Sequence, residues 1–510
     1  MGVRGTLVAL GLMVGCSPAP SEPRVVVPIR APSPAPTTEP NVAVELPHAH
    51  WTEFPSHELW LPISEAEFDE LRFENRYTAT LDGRVVWLNL DYPEARGLLG
   101  AIDGPLGVTL NDPSVELLVA LNQVAARVPV AVRLRISTPD AAKRVEHLSE
   151  VQLLDANLRA TTETLPDSSK LEGLRYLKLV TDAPNANSVL RGLTPRLITL
   201  DLQARLTAEV VPDLERLTHL ESLKVGFLHE YLPLAHLTRL KALNTPLTDE
   251  SLRELAEFPH LTELTVRGCR FTKSVAQSFA RLRKLRQLTF KACSVNEAAI
   301  EEISKLPELE GFSYFDELSP AEFSALHRAK QLVRLALGPH EFGGAELSGF
   351  AEFPRLKEVS LILAGIDDDA AEVLSRMTQL ERLVISKTFV SPVGLKKLGR
   401  LSQLRVLDAS DNLEVDDSVI REWASTLSEL RQLEVGGTQV TAQSVKPLST
   451  LPHLRWLGLT HYAVDRTTLE YLASAPSLVY LNVVAPPVPC DVVRQRLEFP
   501  VYCRDISEFQ

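Results

Sequence analysis

From residue 174 onward the chain repeats one pattern, Leu-x-x-Leu-x-(Leu/Val/Ile). Its first positions are Leu174, Leu197, Leu220, Leu240, Leu261, Leu285, Leu309, Leu332, Leu356, Leu380, Leu404, Leu430, Leu454 and Leu478. These fourteen copies recur with a mean period of about 23 residues. Leu148-x-x-Val151-x-Leu153 reads as a fifteenth. Apolar residues at the fourth and sixth positions alternate with polar ones, the period-2 signature of a half-buried strand. A strand this short cannot bury its apolar face alone. Neighbouring copies must therefore stack into a parallel sheet, with strands about 4.8 Å apart. The second half of each copy reads as a helix. Ser319-Pro320-Ala321-Glu322 combines an N-cap serine, proline at the first helical position and the glutamate of a capping box. Ser391-Pro392 opens another helix in the same way. A repeat array overrides the several domains that 510 residues would otherwise suggest.

On these residues the chain resembles leucine-rich repeat proteins of the ribonuclease-inhibitor-like type. The resemblance covers residues 148–485. It implies an α/β solenoid, a horseshoe with a parallel concave sheet and convex helices. It also implies that the ninth position bonds the backbone where the chain leaves the strand. That position holds Cys269, Cys293, Thr388, Asn412 and Thr438. Residues 51–147 are less regular, although Val85-x-x-Leu88-x-Leu90 and Val132-x-Leu134-x-Ile136 are strand-like. They read as an N-terminal cap with degenerate repeats, because one face of a terminal repeat must be closed off. The alternative is a small separate α/β domain. Residues 486–510 read as a C-terminal cap.

The first fifty residues carry an address. Arg4 precedes an apolar run from Thr6 to Val14, too short to span a bilayer as a mature anchor. The run ends in Leu12-Met13-Val14-Gly15-Cys16, which resembles a bacterial lipobox. Met13 stands where that motif usually has leucine. The resemblance implies a signal peptide over residues 1–15 and lipidation of Cys16. Ser17 after the cysteine, by resemblance to Gram-negative lipoproteins, implies the outer membrane, on either its periplasmic or its surface side. Nine prolines follow between residues 17 and 50. Such a stretch cannot pack a core, and residues 16–50 read as a lipidated cysteine with an extended, disordered tether.

Five cysteines sort by place. Cys16 is the lipid site. Cys269 and Cys293 share one repeat position and read as buried ladder thiols, or as a disulfide in an oxidising compartment. Cys490 and Cys503 follow the last repeat and read as a disulfide closing the cap. There is no C-x-x-C, nucleophile elbow, phosphate loop or H-E-x-x-H. Asp367-Asp368-Asp369 and Asp416-Asp417 fall where helices begin, so they read as caps rather than metal ligands. No catalytic residue, metal site or cofactor is expected. A net charge of −13 argues against a nucleic-acid partner.

Third, fifth and seventh positions point out of the sheet on the concave side. They select Tyr176, Lys178, Glu263, Arg267, Lys291, Arg334, Glu358, Arg382, Trp456 and Tyr480, joined by His461 and Tyr462 in the turn that follows Trp456. Aromatic residues exposed on a rigid sheet suit partner binding. The function expected is that of a non-enzymatic, monomeric, membrane-tethered scaffold binding a protein on its concave face. The alternative is an envelope or surface glycan, with Trp456 and Tyr480 stacking on sugar faces.

Overall fold

The computed structural model describes residues 52–54, 59–61, 72–75, 78–81 and 84–504, except 159–164, 184–185, 229–236, 238, 247–257, 259, 269–276, 339–342, 363–364, 460–462, 485, 498 and 500. The signal segment, Cys16, the tether, Cys269, His461 and Tyr462 lie outside these residues.

The fourth-position apolar residues set the register. Leu177 stands beside Leu200, Leu200 beside Leu223, and the row continues through Leu243, Leu264 and Leu288. It resumes through Phe312, Leu335, Val359, Leu383, Leu407, Leu433, Leu457 and Leu481. All of them are buried. The result is a leucine-rich repeat solenoid. Its sheet has 19 strands in parallel, from Arg84–Asn89 to Val501–Arg504, paired in chain order. The sheet is open. Two antiparallel strands, Arg72–Asn75 and Thr78–Leu81, extend its first edge. Strands Arg84–Asn89, Leu106–Asn111 and Val130–Arg135 belong to this same sheet and share its core, which runs on to Cys503.

Helices alternate with the strands and cover the leucine-bearing face. Leu374, Val419 and Leu469 on helices Asp368–Ser375, Asp417–Thr426 and Arg466–Ala473 share one core with the strand leucines. Strands sit about 4.8 Å apart and packed helices about 8–10 Å apart, so the stack bends with the sheet inside. The helix starts follow their sequence signals. Ser319 forms a complete capping box with Glu322, and Ser391 caps ahead of Pro392. Asp367 accepts from the Ala370 amide at 2.9 Å, and Asp416 accepts from the Ser418 and Val419 amides.

The ninth position behaves as the repeat pattern implies. Asn412 donates to the carbonyls of Ile385 and Ala409 at 2.7 and 3.0 Å. Its Oδ1 accepts from the Thr388 amide and hydroxyl. Thr438 Oγ1 donates to the Val435 carbonyl. Cys293 is buried, as both readings expect, and disulfide-bonded, as the second of them has it. The eighth position is left-handed wherever the described backbone has positive φ: Asp112, Gly268, Ala292, Lys387, Asp411 and Gly437. At the other end, Cys490 and Cys503 form a disulfide with Cα atoms 5.6 Å apart. It ties helix Cys490–Arg496 to the last strand.

Candidate functional site: the concave face of the sheet

The side chains opposite the leucines form rows across the strands, because every strand pairs in register. Chemistry divides these rows into three zones.

At the N-terminal end the fifth-position row alternates in sign. Arg133, Asp155, Lys178, Asp201 and Lys224 follow one another on adjacent strands. Arg133 donates through Nε and Nη2 to Asp155 Oδ2 at 2.9 and 2.7 Å. Lys178 lies 3.5 Å from the same oxygen, and Lys224 lies 2.7 Å from Asp201. Arg133, Asp155 and Asp201 are all less than a tenth exposed. The third-position residues beside them are buried too: Trp87, Ala131 and Leu153, with Tyr176 packed against the last two. Strand Leu59–Leu61, in the short hairpin with Thr52–Phe54, lies against strands Leu106–Asn111 and Val130–Arg135. Tyr176 and Lys178 are thus engaged within the protein.

The middle zone is open. Glu263, Lys291, Arg334 and Arg382 are exposed, while Arg267 and Glu358 are half-buried. Arg267 Nε donates to Asn244 Oδ1 at 3.0 Å, and Arg334 Nη2 to Gln287 Oε1 at 3.3 Å. The Lys291 ammonium sits 5.6 Å from the centre of the Phe315 ring. Partial burial, with Arg267 and Lys224 nearby, pushes the Lys291 pKa down. Arg382 pairs with Glu358 at 3.7 Å. Gly311 leaves room for Gln287, whose amide oxygen would collide with any Cβ there.

The C-terminal zone corrects the sequence reading. Trp456 and Tyr480 are only 6% and 9% exposed. They face each other across adjacent strands, with ring centres 4.5 Å apart and planes at 44°. Two large rings at one row position on neighbouring strands cover each other, so neither is free to serve as a stacking platform. Beside them Glu434 leans across Gly458, where a Cβ would overlap its carboxylate oxygen. Burial, then the nearby Asp408 carboxylate, push the Glu434 pKa up to about 7, against the Trp456 indole and the Asn482 amide.

The sign-alternating row and the Glu434 group went unread in the sequence. The signal was present: Arg133, Asp155, Lys178, Asp201 and Lys224 recur at intervals of 22 or 23 residues. Reading the fifth positions as a row, rather than strand by strand, would have exposed it. Among the described residues there is no cluster of three or more His, Cys, Asp or Glu side chains placed to hold a metal ion.

No protein-family model matches the sequence, and no curated protein matches it. Among solved structures the chain is similar to an internalin (inlF) of Listeria monocytogenes str. 4b F2365. The identity is 19% and the TM-score 0.33, covering 66% of this chain and 82% of that one. It is similar to a chain of the Rad7 and Elc1 complex in yeast at 17% identity and TM-score 0.38, covering 62% and 92%. It is also similar to the plant peptide hormone receptor RGFR1, solved in complex with RGF2, at 15% identity and TM-score 0.33, covering 79% and 68%. The fold class rests on the repeat and its register.

Proposed function

We propose that this chain is a lipid-tethered, non-enzymatic interaction scaffold that holds a protein partner on the open middle of its concave face. The observation that carries this reading is the contrast along the sheet. The N-terminal rows are filled and internally paired, the C-terminal rings are buried, and Glu263, Lys291, Arg334 and Arg382 present charged ends to solvent. These side chains stand on a continuous hydrogen-bonded sheet, so little ordering cost accompanies binding. The burial of Trp456 and Tyr480 removes the observation that favoured a glycan.

The tether is the second half of the proposal. Among the described residues no helix is long and apolar enough to cross a membrane. Attachment in this reading rests on the acyl chains that the lipobox resemblance assigns to Cys16, and several chains together suffice for stable anchoring. Cys16→Ser should move the protein from the membrane pellet to the soluble fraction and abolish labelling by radioactive palmitate. Persistence of both in the variant would sink the anchor. For the partner, crosslinking in intact cells would compare the wild type with a Glu263→Lys, Arg382→Glu variant of unchanged circular dichroism. A protein captured by the wild type and lost from the variant supports the concave reading. Equal capture by both moves attention to the helical face.

A further inference from the structure

Seven of the cations on the concave face fall into two groups. Arg133, Lys178, Lys224 and Arg382 each have a carboxylate within 4.0 Å. Arg267, Lys291 and Arg334 have none among the described residues, and their polar or ring contacts are neutral: Asn244, Phe315 and Gln287. The second group falls on four consecutive strands. Arg267 and Lys291 are paired neighbours in the seventh-position row, and Arg334 stands in the third-position row two strands beyond Lys291. From sheet dimensions, the cluster spans about 10–15 Å in each direction. It is a positive patch on a chain of net charge −13, bordered by Glu263 on the Arg267 strand and by Glu358, the paired neighbour of Arg334. The floor between the rows is short: Thr265, Thr289, Ser313 and Ala336.

An excess of like charge held without counter-ions is unfavourable for the fold itself. Lys291 bears this out, since its charged form is disfavoured by burial and by Arg267 and Lys224. An anion brought from outside relieves that repulsion, and the surrounding negative protein selects against ligands that carry carboxylates elsewhere. The two-row geometry favours a chain lying across the strands over a single small ion. A chain in extended form places alternate side chains about 7 Å apart, so two or three carboxylates reach the cluster together. Phe315 beside Lys291 offers an apolar contact at one end.

We infer that the patch of Arg267, Lys291 and Arg334 receives an acidic segment of the partner protein, laid across strands Glu263–Arg267 to Arg334–Leu337. This rests on the concave-face reading above and assigns the chemistry of its ligand.

The test pans a random-peptide phage library on the full-length, detergent-solubilised chain and on an Arg267→Glu, Lys291→Glu, Arg334→Glu variant. All three side chains are at least partly exposed, so the variant should keep its melting temperature and circular dichroism. A selected peptide, its Gln-for-Glu counterpart and polygalacturonate then compete in fluorescence anisotropy. The expected result is Asp/Glu enrichment on the wild type, lost on the variant. Affinity should drop at least about tenfold for the variant and for the Gln peptide, and fall steeply with salt. Peptides without acidic enrichment that still lose binding in a Glu263→Lys, Glu358→Lys variant would overturn this inference and leave the concave reading standing. Peptides indifferent to every concave substitution would overturn both. Polygalacturonate bound through the three cations, with no peptide selected, would replace the protein segment by an acidic glycan.

Discussion

Glu434 shows how one repeat position can create a titrating group. The carboxylate lies across a glycine, Gly458, between the Trp456 indole, Asn482 and Asp408. Its folded pKa is about 7 against an ordinary 4.5. The folded form therefore holds this proton more tightly than the unfolded chain does. Stability from the group is fully present below about pH 4.5 and is lost as pH rises through about 7. The difference amounts to about 3 kcal/mol at most. Glu434→Gln keeps the shape and removes the charge. It should raise the urea midpoint at pH 8 and leave it nearly unchanged at pH 4.5. An equal gain at both values would mean that the effect is packing rather than ionisation. The same neighbourhood explains why Trp456 and Tyr480 were misread. Their third positions were assigned correctly, and the register does pair them. Exposure at such a position depends on what stands on the next strand, and two rings 24 residues apart in sequence close over each other.

Elements were legible where the sequence carries local chemistry. Leucine spacing located the strands, and Ser-Pro or Asp runs located the helix starts. The eighth-position turn was not legible. Six described repeats hold a left-handed residue there, of which only Gly268 and Gly437 are glycine, while Thr181, Ala204 and Asp316 fill the same position without positive φ. Repeats clasp one another by a device the sequence also hid. In the Asp pairs the first carboxylate caps its own helix. The second reaches the next repeat: Asp368 accepts from the Ser391 amide and hydroxyl at 2.8 and 2.6 Å, and Asp417 from those of Thr441 at 2.8 and 2.5 Å. Ser444 Oγ also donates to Asp417. Each clasp satisfies an amide at the start of the neighbouring helix, so adjacent repeats share their capping. Hydrogen bonds to a charged acceptor contribute about 1.5–3 kcal/mol. Asp417→Ala should therefore lower unfolding stability by about 2 kcal/mol. Asp369→Ala, at an exposed carboxylate in the same kind of run, should change it by less than about 0.5 kcal/mol. Equal losses, measured by urea unfolding of both variants, would show that helix-dipole interactions matter and the clasp does not.

At the scale of the whole molecule, a solenoid has no long-range contacts to hold its ends, and stability is close to a sum of neighbouring interfaces. The ends must be closed separately. At the C-terminus the last strand, Val501–Arg504, pairs with Tyr480–Val484. The disulfide between Cys490 and Cys503 fastens it, and Arg494 Nη2 donates to the Cys503 carbonyl at 2.6 Å. By loop closure a bridge spanning 13 residues contributes about 3 kcal/mol. In a one-dimensional stack that contribution is felt locally. Losing it should expose the strand that carries Tyr480, then the one that carries Trp456, and with them the burial that sets Glu434. Cys490→Ser with Cys503→Ser should thus raise amide hydrogen exchange in strands Val501–Arg504 and Tyr480–Val484 most. Strand Trp456–Leu459 should rise less, and Leu153–Asn157 or Tyr176–Val180 should not change. The open cationic middle should keep its affinity for ligands, since Arg267, Lys291 and Arg334 lie five or more strands away. A uniform rise in exchange along the chain would show that the cap supports the stack as one cooperative unit, contrary to nearest-neighbour coupling.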